Sequence, residues 1–253
     1  MIYLDNAATT EMCKAAQMAQ KNMARVYGNA HSLNRIGAEA RDILSNARLE
    51  IADRLNAADQ DSVFFTSGAT EGNNWAIKGT AFDWLKKKHT PCHVITQKTE
   101  HHSVLNPCKW LQEIGLADVT YLDVDGNGLV NPDDVRRTIR PNTALISLMM
   151  VNNETGVKQP VEEIGWIADE HLIFYHVDAT QALGKMEVNV KEIGCNMLTA
   201  SGHKFHAGKG CGIAYRAFDM PLDNLLHGGE QQLGMRPGTD DVLAAVRMQE
   251  ALR

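Results

Sequence analysis

The run Ala144–Val151 (ALISLMMV) holds no charge and shows no alternation of polar and apolar residues. A strand with one face in water alternates, whereas a strand covered on both faces does not. This run therefore reads as a buried strand of a parallel sheet lying between helices. Six more stretches read as strands: Ser62–Thr66, His93–Gln97, Val119–Leu122, Leu172–Asp178, Met197–Ala200 and Gly212–Tyr215. Apolar residues at helical spacing fall between them. Ala40, Ile43, Leu44, Ala47, Ile51 and Leu55 make one stripe. Ile77, Ala81, Trp84 and Leu85 make another, with Lys86–Lys88 at its end, where a helix dipole favours cations. Such alternation implies βαβ units and an α/β fold, with a mostly parallel central sheet and helices on both faces. With no linker rich in Pro, Gly and Ser, one domain is the better reading.

Composition removes several function classes. The 253 residues carry a formal charge of −6, and no basic block stands out beyond Lys86–Lys88, which argues against a nucleic-acid partner. Ala144–Val151 is far shorter than the roughly 20 residues that cross a bilayer, so no membrane role is expected. The opening MIYLDNAATT lacks the basic and apolar regions of a signal peptide. Five cysteines, at 13, 92, 108, 195 and 211, are odd in number and widely spaced. They suit reduced thiols in a cytoplasmic protein rather than disulfides or a zinc site.

In open α/β sheets ligands collect beyond the carboxyl ends of the strands. Five polar clusters fall at such ends: Ser67–Thr70, Glu100–His102, Asn152–Glu154, Asp178–Gln181 and Ser201–Lys204. Lys204 follows an apolar strand in a glycine-rich loop (SGHKFHAGKGCG), where backbone can approach a ligand closely. A lysine whose pKa is lowered by desolvation or neighbouring cations suits Schiff-base chemistry; the plain alternative is a solvated surface lysine. Asp178, in HVDATQ, ends a buried strand and calls for a cationic partner such as a protonated pyridine nitrogen, or else it caps the next helix. Ser67–Glu71 lies at a strand-to-helix junction, where free amides and the helix dipole suit a phosphate; ordinary capping is the competing reading.

Taken together, SGHK, HVDATQ, TSGATEGNN, TEHHSV, VNNETG, YLDNAATT and GGEQQLGMRPGT resemble the class V aminotransferase family of pyridoxal-phosphate enzymes, of fold type I. Within it, the chain is most similar to the NifS/IscS-type cysteine desulfurases, from Ile2 to Arg253. The resemblance implies that Lys204 holds pyridoxal 5'-phosphate covalently and later moves a proton. It implies that Asp178 pairs with the ring nitrogen, and that Gln181 and Asn153 reach the phenolic oxygen or its surroundings. His101 would stack on the ring and act in proton transfer, while Ala69, Thr70, Ser201 and His203 hold the phosphate. Thr239 is similar to a threonine that reaches the phosphate from the partner subunit, implying a homodimer with shared active sites. The implied reaction removes sulfur from L-cysteine, giving alanine and an enzyme persulfide for an acceptor protein in iron–sulfur or thio-cofactor assembly. Alternatives are another class V reaction, selenocysteine lysis or transamination, or a non-catalytic cofactor-binding subunit.

The sequence departs from this pattern in two places. No cysteine follows Cys211, so the family's sulfur-accepting loop and the arginine for the substrate carboxylate are expected to be missing, with most of a small C-terminal domain. The chain then reads as truncated and inactive in sulfur transfer, residues 1–15 belonging with the small domain and 16–253 forming the cofactor-binding large domain. Gly28–Ser32 reads GNAHS where relatives more often read GNPSS. No metal site is expected. Asp123–Gly128 with Asp134 imitates a calcium loop, but a strand precedes it, and Asn131–Pro132 reads as a helix cap and first turn. His101, His102, His203 and His206 lack completing ligands at a metal spacing.

Overall fold

All seven expected strands form in the computed structural model, which describes residues 2–253. They are β1 Val63–Thr66, β2 Cys92–Gln97, β3 Ala117–Leu122, β4 Thr143–Met149, β5 Phe174–Asp178, β6 Met197–Ser201 and β7 Gly212–Arg216. Their order in the sheet is β1-β7-β6-β5-β4-β2-β3. β7 runs antiparallel to both β1 and β6, and the other pairs are parallel. Every residue of β4 is buried, as an unbroken apolar run requires. Each fully buried Leu or Ile there contributes about 2 kcal/mol relative to exposure.

Helices cover both faces, and β1 shows how alternation divides the core. Phe64 packs in a cluster with Trp75, Ile77, Val104 and Leu111, from α3 (Ala69–Lys88) and α4 (His102–Glu113). Its neighbours Val63 and Phe65 face the opposite cluster. That cluster is built on α2 (Arg35–Arg54), α5 (Pro132–Thr138), α6 (Val161–Glu170), α7 (Val190–Ile193) and α8 (Val242–Leu252). The amino-terminal α1 (Lys14–Met23) packs on α8.

Three expected boundaries move by two residues, and one of them is the start of β3, at Ala117 rather than Val119. Leu172 does not begin a strand: it is 90% exposed at φ 54, and β5 starts at Phe174. Met150 and Val151 lie beyond the end of β4, Val151 bridging to Lys158. The apolar run therefore continues into the loop that leads to the site. The calcium-like turn is held by its own amides: Asp125 Oδ1 accepts from Asn127 N at 2.9 Å and Leu129 N at 2.8 Å. Asn131 caps α5 with Pro132 in its first turn, as read from the sequence.

Between β2 and β4 the chain switches direction across the sheet: β3 was added on one side of β2, and β4 returns on the other. Loops leaving such a pair diverge and leave a crevice. His101 follows β2 and Asn153 follows β4.

Candidate active site

One cavity of about 810 Å³ opens at these strand ends. Ala69, Thr70, His101, Asn153, Asp178, Gln181, Ser201, His203 and Lys204 all line it. Thr239 does not; it is exposed, on the segment joining the Gly228–Gly238 region to α8.

Lys204 ends a single 3₁₀ turn, Gly202–Lys204, directly after β6. Its Nζ donates to Ala8 O at 2.8 Å and also to Ala7 O. Burial pushes the ammonium down from its ordinary value, while Asp5 and Asp178 oppose that shift. An amine easier to deprotonate is one better able to attack a carbonyl. The segment 7–13 is laced to the same turn: Thr10 N donates to His203 O at 2.8 Å, and Cys13 N to His206 O at 3.0 Å. Burial, followed by the charges of Lys204 and Lys209, lowers the His203 pKa. Its Nδ1 lies 3.1 Å from Thr9 Oγ1.

Asp178 is the last residue of β5, only 5% exposed. Its Oδ1 accepts from Thr180 N at 2.9 Å and its Oδ2 from Asn73 Nδ2 at 2.7 Å. Both donors are neutral, so the carboxylate meets no cationic partner among the described residues. Sequence reasoning missed Asn73, which lies one turn beyond Thr70 on α3. The available signal was a polar side chain on the face of α3 that also carries buried Ala76, Ile77 and Thr80. Gln181 Nε2 donates to Ala7 O at 2.9 Å, and Lys185 Nζ donates to Gln181 Oε1 at 2.6 Å. Asn152 anchors the β4 loop through Thr99 O at 2.9 Å, which sets Asn153 at the rim.

The amino end of α3 has no side-chain cap. Gly68, at φ 154, turns the chain from β1 into the helix in a conformation that L side chains rarely adopt. A Cβ there would stand 3.3 Å from Ser201 Oγ. Across the sheet, a Cβ on Gly212 would lie 2.5 Å from Gly68 Cα, so two glycines permit this turn to sit on β7. Glu71 draws the outer edge closed: it accepts from Ser67 N at 2.7 Å and from Arg236 Nε at 2.8 Å.

The family model described as Aminotransferase class-V matches residues 2–253. The chain belongs to the class-V aminotransferase family. It is 43% identical over 251 residues to the cysteine desulfurase IscS of Methanosarcina thermophila, covering 99% of this chain and 61% of that protein. It is 42% identical to the putative cysteine desulfurase IscS 1 of Bacillus subtilis, covering 100% of this chain and 65% of that one. The chain thus spans somewhat under two thirds of these curated relatives. A solved structure named SspA in complex with cysteine superposes at a TM-score of 0.94 and 40% identity, covering 100% of this chain and 72% of its own. A NifS-like protein does so at 0.94 and 35%, covering 99% and 68%.

Members of this family are pyridoxal-phosphate enzymes, and the residues present fit that group. A buried carboxylate held only by neutral donors suits a ring-nitrogen cation. An uncapped helix amino end beside the Ser201 hydroxyl suits a phosphate. An amine lowered by burial suits an aldehyde.

Proposed function

We propose that the protein is a pyridoxal-phosphate-dependent cysteine desulfurase. In the overall reaction L-cysteine and a thiol acceptor become alanine and a persulfide, so the sulfur leaves as sulfane sulfur and atoms balance. The observation that carries this reading is that Lys204, Asp178 and the open end of α3 face one cavity. When bound, pyridoxal phosphate supplies an electron sink for the pair left by a departing α-proton. Lys204 would hold the group and later carry a proton to or from the substrate carbon. Asp178 would hold a proton at the ring nitrogen, and His101 would stand against the ring and serve proton transfer. The first-turn amides at Ala69 and Thr70, with Ser201 and His203, bind the phosphate. Gln181 and Asn153 would reach the phenolic oxygen or its surroundings. Thr239 serves the equivalent site of a second copy in a homodimer, and a sulfur-acceptor protein takes the product in the cytoplasm. No helix among the described residues is long and apolar enough to cross a membrane.

No cysteine lines the cavity among the described residues. Binding of the cofactor and the thiol step are therefore separable. The 253-residue chain is expected to take up pyridoxal phosphate, turn yellow and lose that absorbance in Lys204→Ala. It is expected to release sulfide from L-cysteine only slowly unless a small thiol is added. A wild-type protein that stays colourless at saturating pyridoxal phosphate would overturn the cofactor assignment. Rapid sulfide release without added thiol would overturn the separation of the two steps.

A further inference from the structure

Along and below the cavity floor, seven polar side chains from five elements form one hydrogen-bonded chain. Ser147 Oγ lies 2.8 Å from His176 Nδ1, and His176 Nε2 lies 3.1 Å from Thr199 Oγ1. Thr199 Oγ1 donates to Asn73 Oδ1 at 2.5 Å. Asn73 Nδ2 donates to Asp178 Oδ2 at 2.7 Å and to Ser103 Oγ at 2.8 Å. Ser103 Oγ lies 2.8 Å from His101 Nδ1, which also accepts from Ser103 N at 3.1 Å.

Only one assignment of protons satisfies every link. A carboxylate can only accept, so the NH₂ of Asn73 must face Asp178, and its carbonyl must face Thr199. The single Thr199 proton then goes to Asn73, which leaves Thr199 Oγ1 to accept from His176. His176 is therefore protonated at Nε2, and Ser147 donates to its Nδ1. The second Asn73 proton goes to Ser103, whose hydroxyl proton goes to His101 Nδ1. His101, accepting twice at Nδ1, carries its own proton at Nε2. His176 is fully buried, and burial lowers its pKa to about 4, which keeps the ring neutral as the chain requires.

We infer that Asn73 is a positioning residue that couples the two ring-facing groups. One amide aims the Asp178 carboxylate and, through Ser103, orders the His101 imidazole, while Thr199 and His176 hold that amide in register. The inference rests on the proposed cofactor site and adds to it. Gly72 supports the placement, since a Cβ there would meet Thr199 Cγ2 at 2.7 Å and push α3 away from β6. Partly satisfied buried networks are expensive, so loss of one member disturbs the rest.

The test compares wild type, Asn73→Ala and Thr199→Val, each without cofactor and then titrated with pyridoxal phosphate. Imidazole nitrogen shifts of His176 and His101 report the tautomers, and equilibrium dialysis reports the affinity. Wild type should show Nε2–H tautomers at both rings. In Asn73→Ala, Thr199 is freed to donate to His176 Nε2, so His176 should become a mixture of tautomers. The dissociation constant should rise about tenfold, the scale of one lost hydrogen bond to a charged group. Thr199→Val, which leaves the cavity lining untouched, should move His176 to the Nδ1–H form, donating to Ser147. Unchanged tautomers and equal affinity in both variants would overturn the positioning role. A wild type that binds no pyridoxal phosphate would instead overturn the cofactor reading, whatever the tautomers show.

Discussion

Glu100 offers the sharpest quantitative check on the site's electrostatics. It lies in the loop after β2, 6% exposed, and its Oε1 accepts from Met149 N at 2.6 Å and Gln97 Nε2 at 2.9 Å. Its Oε2 has no hydrogen-bond partner, and neither does Gln97 Oε1. Burial raises the carboxyl from 4.5 to about 8, and the charge of Asp178 adds to the rise. Because the folded protein keeps this proton while the unfolded chain releases it, the stabilisation is full below pH 4.5 and fades as pH climbs to about 8. The slope is about 1.4 kcal/mol per pH unit. Glu100→Gln preserves the acceptor and supplies an NH₂ where Oε2 stood, with no titration. Between pH 5.5 and 7.5, wild type should therefore lose about 3 kcal/mol relative to the variant. At an m-value of about 3 kcal/mol/M, urea midpoints of the cofactor-free proteins should diverge by about 1 M. His93 and His176, both lowered to about 4 chiefly by burial, work in the opposite direction at lower pH but cancel in the comparison. Midpoints that differ by a constant amount across this range would show that Glu100 is ionised in the fold, and would refute the reasoning.

Three more outcomes follow from the same geometry. Gly212→Ala places a methyl 2.5 Å from Gly68 Cα and 2.7 Å from Ala200 O, both backbone, so about 2 kcal/mol or more of stability should be lost. The same variant should weaken pyridoxal-phosphate binding in dialysis, because the Gly68 turn must shift. Arg236→Ala leaves Glu71 mostly buried without its bidentate partner, which should cost about 2 kcal/mol in urea unfolding; Glu71→Gln with Arg236→Ala should recover part of it. Native-state iodoacetamide should label Cys13 first: the other four cysteines are buried, burial pushing Cys92 up to about 11, Cys195 to about 12, and Cys108 and Cys211 upward as well. Fast labelling at Cys108 or Cys211 would show that the glycine loop or α4 opens readily.

Most of the architecture was legible because buried strands announce themselves by composition. β4 and β6 are uncharged and mostly apolar, each with a single hydroxyl residue in its middle, so their existence needed no knowledge of neighbours. The strand starts were harder: Leu172 is as apolar as Phe174, and only the left-handed turn at Leu172 shows that the chain has not yet entered the sheet. The antiparallel β7 was also invisible, since strand direction depends on how the Gly208–Gly210 loop reverses the chain. Site residues were legible where the chain places them at strand ends, as with Asp178 and Lys204. Asn73, Thr199 and His176 were not, because each looks locally like a helix or strand residue. Their role exists only once α3, β5 and β6 meet.

Two carboxyl groups under one cavity have been given opposite surroundings. Asp178 receives a donor on each oxygen, from Thr180 and Asn73. Glu100 receives its donors on one oxygen only, and full burial leaves the other bare, so a proton there is the cheaper solution. If both were charged, Asp178 would face the cavity with a second anion behind it. Keeping Glu100 neutral leaves a single negative charge to meet the ring nitrogen. It also predicts the consequence of removing the asymmetry: above pH 8, as Glu100 ionises, affinity for a cationic ring should rise more steeply in wild type than in Glu100→Gln, since both share the titration of Lys204. Dialysis of both proteins at pH 7 and pH 9 decides it, since identical pH dependence would mean the two carboxyls do not communicate.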